Sequence, residues 1–541
     1  MEITKLLIET AEIAKIKNKK QTSNPLNKPW FDNECKRSKL SLKTLGKKIK
    51  NNKDNIELRT QISDEKRNLK NLIKRKKSNH TRDIIEKMNT NNTDGKYFWK
   101  LLDKLDDGKT NSEQFKSTIS EHKWVNHFTD ILNTNDTPVS QQTREEIGPL
   151  DDDISSTELK EAEYILRPGK APGIDSISNE MIRCLLEENQ NVLLKLFNSI
   201  LKNSYNKTNV WDTSLINPIH KKGSFMEVEN YRGISLLSCL GKFFSAILLR
   251  RLQNFVKENN ILSEEQLGFR PGNRTSDAHL IIHNIVNKYC HKNGRKVYGC
   301  FVDFQRAFDS IPREILFEKL HNYGIKGKFY KTIENMYLND KGCVKIGGYI
   351  TNSFKINQGV KQGCVLSPLL FNIFLADLPN ALNKVMNTPV KISEEKQISS
   401  LIWADDLLML SETETGLNNM LVDLKAYAEI NRLTINTDKT QCMIFNKTGR
   451  LMRRHFSYGE NNIKTVREYK YLGFIVTPSG EIKTGLNDLK DRALKAIYKI
   501  KMKMGHYFQK HVRTTLKLFD TLVAPILLYA SDFWGCLTVL M

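Results

Sequence analysis

The stretch from Ser399 to Leu410 reads SSLIWADDLLML, and it constrains the fold more than any other part of the 541-residue sequence. Two apolar arms flank Ala404-Asp405-Asp406, which predicts a β-hairpin with two carboxylates at its turn. Turn chemistry alone allows a plain polar turn there. Adjacent acids between apolar strands are nevertheless costly, because like charges repel and burial disfavours ionisation. A hard dication removes both penalties. A second segment, Val297 to Phe304 (VYGCFVDF), alternates and is rich in β-branched and aromatic residues, so it also reads as a strand, with Asp303 near its end. A third carboxylate brought to the first two completes an oxygen site for two Mg²⁺ ions, the arrangement that in-line phosphoryl transfer needs.

The charge balance points to a polyanionic partner. The formal net charge is +23 and the pI about 9.4. Such a surplus repels itself in a compact fold unless a polyanion offsets it, with nucleic acid the leading candidate and an anionic membrane surface the second. Nothing further supports a membrane: the apolar stretch from Leu516 to Met541 is broken by Asp520, Pro525 and Asp532. No signal-peptide pattern opens the chain. The nine cysteines show no CxxC or zinc spacing, and read as reduced thiols. The expectation is an intracellular protein, nuclear or cytoplasmic, neither secreted nor membrane-spanning.

Residues 1–33 read as a polar lead-in, and Asn33 to about Asn89 as very basic helix. Its run Lys74-Arg75-Lys76-Lys77 is either a solvated helix face or a nucleic-acid contact. Trp99, Trp124 and Phe128 suggest a small aromatic cluster, core rather than stacking platform. The expected divisions are a basic helical extension over 1–132, a linker over 133–156, a catalytic body over 157–480 and a helical segment over 481–541. Alternating helix and strand patterns give the body an α+β class.

Eight segments then stand in order: RPGKAPGIDSISNEMI (167–182), INPIHKKGSFMEVENYRGISLLS (216–238), LSEEQLGFRPGNRTSDA (262–278), FVDFQRAFDSI (301–311), NQGVKQGCVLSPLLFNIF (357–374), WADDLLML (403–410), LTINTDKTQCMIF (433–445) and YLGFIVT (471–477). Together they resemble the ordered blocks of reverse transcriptases from non-LTR retrotransposons of the LINE type, jockey-like elements among them. The resemblance implies a right-hand polymerase, with fingers, an antiparallel palm sheet and a helical thumb over 481–541. It implies that Asp303, Asp405 and Asp406 hold the metal pair, with the Phe304 carbonyl as a further ligand. Phe308 would be the aromatic gate against a ribose 2′-hydroxyl. Lys222 and Arg232 would hold the incoming triphosphate, and Gln362, beside Gly363, would pack near the nucleotide sugar. Lys439 would protonate departing pyrophosphate, and Tyr471-Leu472-Gly473 would grip the primer. Independently, Lys and Arg clamps suit a transferring phosphoryl group, and glycines at 359 and 363 suit close approach of backbone to a ligand.

Three departures accompany the resemblance. Trp403 stands where such hairpins usually have Tyr or Phe. Gly233 follows Arg232 where proline is common, which implies a more flexible loop. No endonuclease segment precedes the basic helices, so the sequence reads as a fragment of a longer element protein. The expected reaction is RNA-templated addition of deoxynucleoside triphosphates (dNTPs) to a DNA primer 3′-hydroxyl, on a template–primer duplex held by its phosphates. One rival is an RNA-directed RNA polymerase, disfavoured by the aromatic at 308. The other is a catalytically inactive RNA-binding remnant, disfavoured by the intact acids.

Overall fold

The computed structural model describes residues 29–51, 55–89, 95–105, 116, 118–133, 147–204, 211–505 and 507–539. Most of the lead-in and residues 134–146 of the expected linker lie outside these. Within residues 147–156, Ile154 is buried and Asp151 accepts backbone hydrogen bonds from Gly148 (2.8 Å) and Phe329 (2.8 Å), while most of the others are exposed. The chain forms two compact units, each discontinuous in sequence. The larger spans 111–485 and takes in 530–539; the smaller joins the helices before residue 110 to the stretch 486–529.

In the larger unit the first strands are β1 (Thr213–His220), β2 (Tyr231–Leu236), β3 (Val297–Asp303), β4 (Lys341–Ile346), β5 (Tyr349–Ile350) and β6 (Phe354–Lys355). A short pair follows, β7 (Val390–Lys391) with β8 (Gln397–Ile398). Next come β9 (Ser400–Trp403), β10 (Asp406–Ser411), β11 (Gln441–Phe445), β12 (Phe456–Tyr458) and β13 (Asn461–Thr465), then β14 (Tyr469–Tyr471) and β15 (Phe474–Val476). One sheet runs β2-β1-β4-β5, with β6 also on β4. A six-stranded sheet runs β12-β13-β11-β3-β10-β9. Its centre, β11-β3-β10-β9, is antiparallel, whereas β13 joins β11 in parallel.

The central sheet is buried on both faces, which is why β10 reads as an unbroken apolar run. Period-two geometry sends alternate side chains to opposite sides. Leu407 and Met409 enter one core with Cys300 and Val302 of β3. Leu408 and Leu410 enter the other, with Val297 and Phe301. The β14–β15 hairpin closes this second core: Tyr469 stacks on Phe301 (centroids 4.1 Å apart, 10° between planes), and Tyr471 also lies against it. Its two-residue turn has positive φ at both Leu472 (42°) and Gly473 (84°), as a type I′ connection requires.

The smaller unit is helical. Its longest helix, Ile56–Asn89, extends about 50 Å at the α-helical rise, and its C-terminal end supplies Ile84, Ile85 and Met88 to a core with Phe98, Leu101, Ile500 and Leu518. Within the run Lys74 to Lys77, Lys76 meets both Asp32 and Glu34 (2.6 Å each) and Arg75 meets Glu34 (3.4 Å). These two cations thus staple the start of helix Asn33–Asn51. The expected aromatic cluster is corrected: Trp124 and Phe128 stack on one another beside Tyr231 in the larger unit, while Trp99 is 46% exposed in the smaller and Phe98 is the buried residue there. Helix phase, off by one position, accounts for the exchange. All nine cysteines are free thiols, and no helix among the described residues is long and apolar enough to cross a membrane.

Candidate active site

The acids come together because two neighbouring strands end on them. β3 finishes at Asp303 and β10 begins at Asp406, and the two are directly paired in antiparallel register. Such partners have Cα atoms about 4.5–5.5 Å apart. On its other side Asp406 pairs with Trp403, and Ala404-Asp405 form the connection between β9 and β10. Ala404 takes φ +57°, a left-handed conformation uncommon outside glycine. Strain of this kind persists where the surroundings over-determine it. Here the overlying backbone of Gly268 leaves no room for a side chain against Trp403 and Ala404.

The electrostatics follow from that placement. The Asp406 side chain is still reachable by solvent on one side, yet the strand ends around it withdraw enough water to push its carboxyl up to about 6, with Asp405 and Asp303 adding like charge. Burial, and then Asp406 and Asp303, push the Tyr469 phenol up to about 12. Lys439 Nζ lies 3.3 Å from Asp303 Oδ2. Backbone bonds lace the end of β3 to the 434–436 segment, using the carbonyls of Asp303 and Thr434 and leaving that of Phe304 out. Among the described residues no group of three or more His, Cys, Asp or Glu side chains is placed so that it could hold a metal ion. The mutual repulsion of three clustered carboxylates, all hard oxygen donors, nevertheless fits a dication between them.

The Phe308 ring is half-buried and stacks flat on Phe371, with centroids 4.5 Å apart and planes 12° apart. Beyond it opens a cleft lined by Lys221, Arg232, Arg306, Asp309 and Gln362. Of the two adjacent lysines, it is Lys221 that lines this cleft rather than the expected Lys222, although both are exposed. The Lys221 ammonium is pushed down by burial and then by Arg232. Arg306 and Asp309 were not anticipated. Gln362 donates from Nε2 to Asp309 Oδ1 (2.7 Å) and accepts at its carbonyl from Ser235 (2.8 Å), tying the loop to β2.

Gly359 and Gly363 both sit against neighbouring backbone. A Cβ at Gly363 would collide with the Ser235 carbonyl, and one at Gly359 would sit 2.7 Å from that of Asp309. The close approach is to the protein's own backbone. Gly233 is likewise no source of flexibility: it lies within β2 opposite Pro218, and its missing side chain makes room for the Phe128 ring of helix Glu121–Leu132.

Asp309 gives a pH test. Burial pushes its carboxyl up to about 6 from an ordinary 3.8, against the opposing effects of Gln362 and Arg232. A raised folded-state value means that the folded chain holds this proton where the unfolded chain releases it. The stabilising contribution is complete below the unfolded value and is lost as the pH rises through about 6. Asp309→Asn mimics the protonated form and keeps the acceptor for Gln362. Its melting temperature should gain on that of the wild type as pH rises from about 5 to about 7.5; a constant difference would show that Asp309 does not titrate there.

The chain thus presents a strand-end acid paired in register with an acidic hairpin, and a cleft lined by Lys221, Arg232 and Arg306. Residues 219–476 match the family described as reverse transcriptase (RNA-dependent DNA polymerase). Among curated proteins, the RNA-directed DNA polymerase from mobile element jockey of Drosophila funebris is 28% identical over 404 residues, which is 73% of this chain and 43% of that protein. Its Drosophila melanogaster counterpart is 27% identical over 417 residues, 74% of this chain and 42% of that one. The chain thus spans less than half the length of these relatives. Among solved structures, apo telomerase from Candida tropicalis aligns at a TM-score of 0.36 and 14% identity, over 62% of this chain and 63% of that one.

Proposed function

We propose that this chain is the polymerase part of a non-LTR retrotransposon protein, adding dNTPs to a primer 3′-hydroxyl under the direction of an RNA template. The observation that carries the reading is the in-register pairing of Asp303 with Asp406 beside Asp405. In right-hand terms the β2-β1-β4-β5 sheet serves as fingers, the six-stranded sheet as palm and the helices beyond residue 480 as thumb, with the basic helices before residue 132 as an extension. Asp303, Asp405, Asp406 and the Phe304 carbonyl would hold two Mg²⁺ ions, which supply activation of the attacking hydroxyl and neutralisation of the leaving phosphate.

The chain's own side chains do the rest. Lys221 and Arg232 bind the triphosphate, because cations in a partly desolvated cleft stabilise charge spread over the phosphoryl oxygens. Gln362 fixes Asp309 and the loop behind the sugar. Lys439 Nζ, resting near Asp303, carries a proton that can pass to the departing pyrophosphate. Phe308 excludes a 2′-hydroxyl, and Tyr471-Leu472-Gly473 supports the primer end. The net charge of +23 supports a template–primer duplex held through its phosphates. The test is primer extension on a defined RNA template with purified protein. Mg²⁺-dependent, template-matched dNTP addition is expected; addition that ignores the template would overturn the reading.

A further inference from the structure

Phe269 is a bulky residue in the left-handed region, at φ +57°. Glycine would adopt this conformation without cost, so the aromatic side chain is kept against backbone strain, and strain of this sort gathers at functional sites. The surrounding bonds hold it in place. Leu267 and Gly268 both donate to the Ile402 carbonyl (2.8 and 3.2 Å). Asn372, fully buried, donates from Nδ2 to the Gly268 carbonyl (2.8 Å). On the other side Arg270 folds back onto the carbonyls of Ser263 (2.6 Å) and Gln266 (3.3 Å).

The strained backbone delivers a ring to one place. Phe269, 48% exposed, meets the Phe308 ring edge-to-face, with centroids 6.0 Å apart and planes at 88°. Phe308 is backed on its flat side by Phe371. Phe371 and Asn372 are neighbours on the helix Ser367–Phe374, so one helix both backs Phe308 and pins the loop that carries Phe269. We infer that Phe269 is a positioning residue for sugar discrimination, locking the Phe308 ring against Phe371 so that it cannot yield to a 2′-hydroxyl. Rejection by overpacking works only where the packed group has nowhere to go. The inference rests on the proposed role of Phe308 as the gate.

The test compares kcat/KM for matched ribo- and deoxynucleotides in the wild type, Phe269→Leu, Phe269→Tyr, Phe308→Val and the Phe269→Leu/Phe308→Val double variant. Phe269→Leu should lose at least about fivefold of the deoxynucleotide preference, and Phe269→Tyr should keep it within about twofold. The double variant should be no less selective than Phe308→Val, because Phe269 acts through the gate. Phe269→Gly, whose backbone relaxes, should lose the preference while melting no lower than Phe269→Leu, which separates selectivity from folding. An altered ratio in Phe308→Val with a wild-type ratio in Phe269→Leu overturns the inference and leaves the gate standing. So do losses that multiply in the double variant, since Phe269 would then meet the nucleotide itself. A wild-type ratio in Phe308→Val removes the gate and the inference together.

Discussion

Asp405→Asn should lower dNTP addition by at least about a thousandfold, or about 4 kcal/mol of transition-state stabilisation, while leaving duplex affinity within about twofold. The two halves of this expectation have separate physical origins. On the proposed reading, chemistry depends on three carboxylates sharing one site, and the amide is a poor ligand for a hard dication. On the same reading, duplex affinity depends on Lys and Arg contacts to phosphates, to which an acid contributes nothing. The substitution is nearly isosteric and Asn is at home in turns, so the β9–β10 connection should persist. A further sign follows from the repulsion in the metal-free site. The Asp406 carboxyl is held up by burial and then by Asp405; without that neighbour the folded chain at neutral pH carries less like-charge strain. The metal-free variant should therefore melt no lower than the wild type, and Mg²⁺ should raise its melting temperature less. An inactive variant that also melts lower and binds duplex poorly would indicate misfolding, and an active one would remove Asp405 from the site.

The parts of this site that lie on one strand or one turn were legible from residue order, because strand periodicity has local causes. β3, β10 and the acidic connection before β10 emerge from alternation and apolar flanks alone. What alternation could not supply is pairing across the chain. That Asp303 lies opposite Asp406 is a matter of register between strands a hundred residues apart. The choice between Lys221 and Lys222 falls just past the end of β1, where residue order does not say which of two adjacent lysines lines the cleft. Gly233 was misread for a related reason. A missing side chain shows that something approaches closely but not what, and here the Phe128 ring does so. Trp99 shows the helical version of the difficulty, where adjacent aromatics leave the buried position open until the packing partners are known. The grouping of the early helices with residues 486–529 has no local signature at all.

Phe308→Val should raise ribonucleotide incorporation at least about tenfold relative to deoxynucleotide, which is about 1.4 kcal/mol of lost discrimination. The ring follows Asp303 by five positions, and the chain between them bends sharply through Arg306 at φ +53°. Beyond that bend the ring packs against the core that also holds Val302 and Ala307. There it is wedged between the edge of Phe269 and the face of Phe371, and its backbone carbonyl accepts a hydrogen bond from Val360 (2.9 Å), which fixes the main chain beneath it. A 2′-hydroxyl meeting this ring finds neither a hydrogen-bond partner nor slack, and overpacking in such a site costs about 1–3 kcal/mol. Valine removes the outer carbons of the ring but retains a branched apolar side chain, so the core beside Phe371 loses contact area without gaining a polar group. The metal ligands are untouched, and the Mg²⁺ concentration that gives half-maximal rate should stay where it is. The measurement is the kcat/KM ratio for the ribo- and deoxy- forms of one nucleotide opposite one template base. An unchanged ratio together with a lower melting temperature would make Phe308 a packing residue, and discrimination between the two sugars would then have to come from the backbone around Gln362.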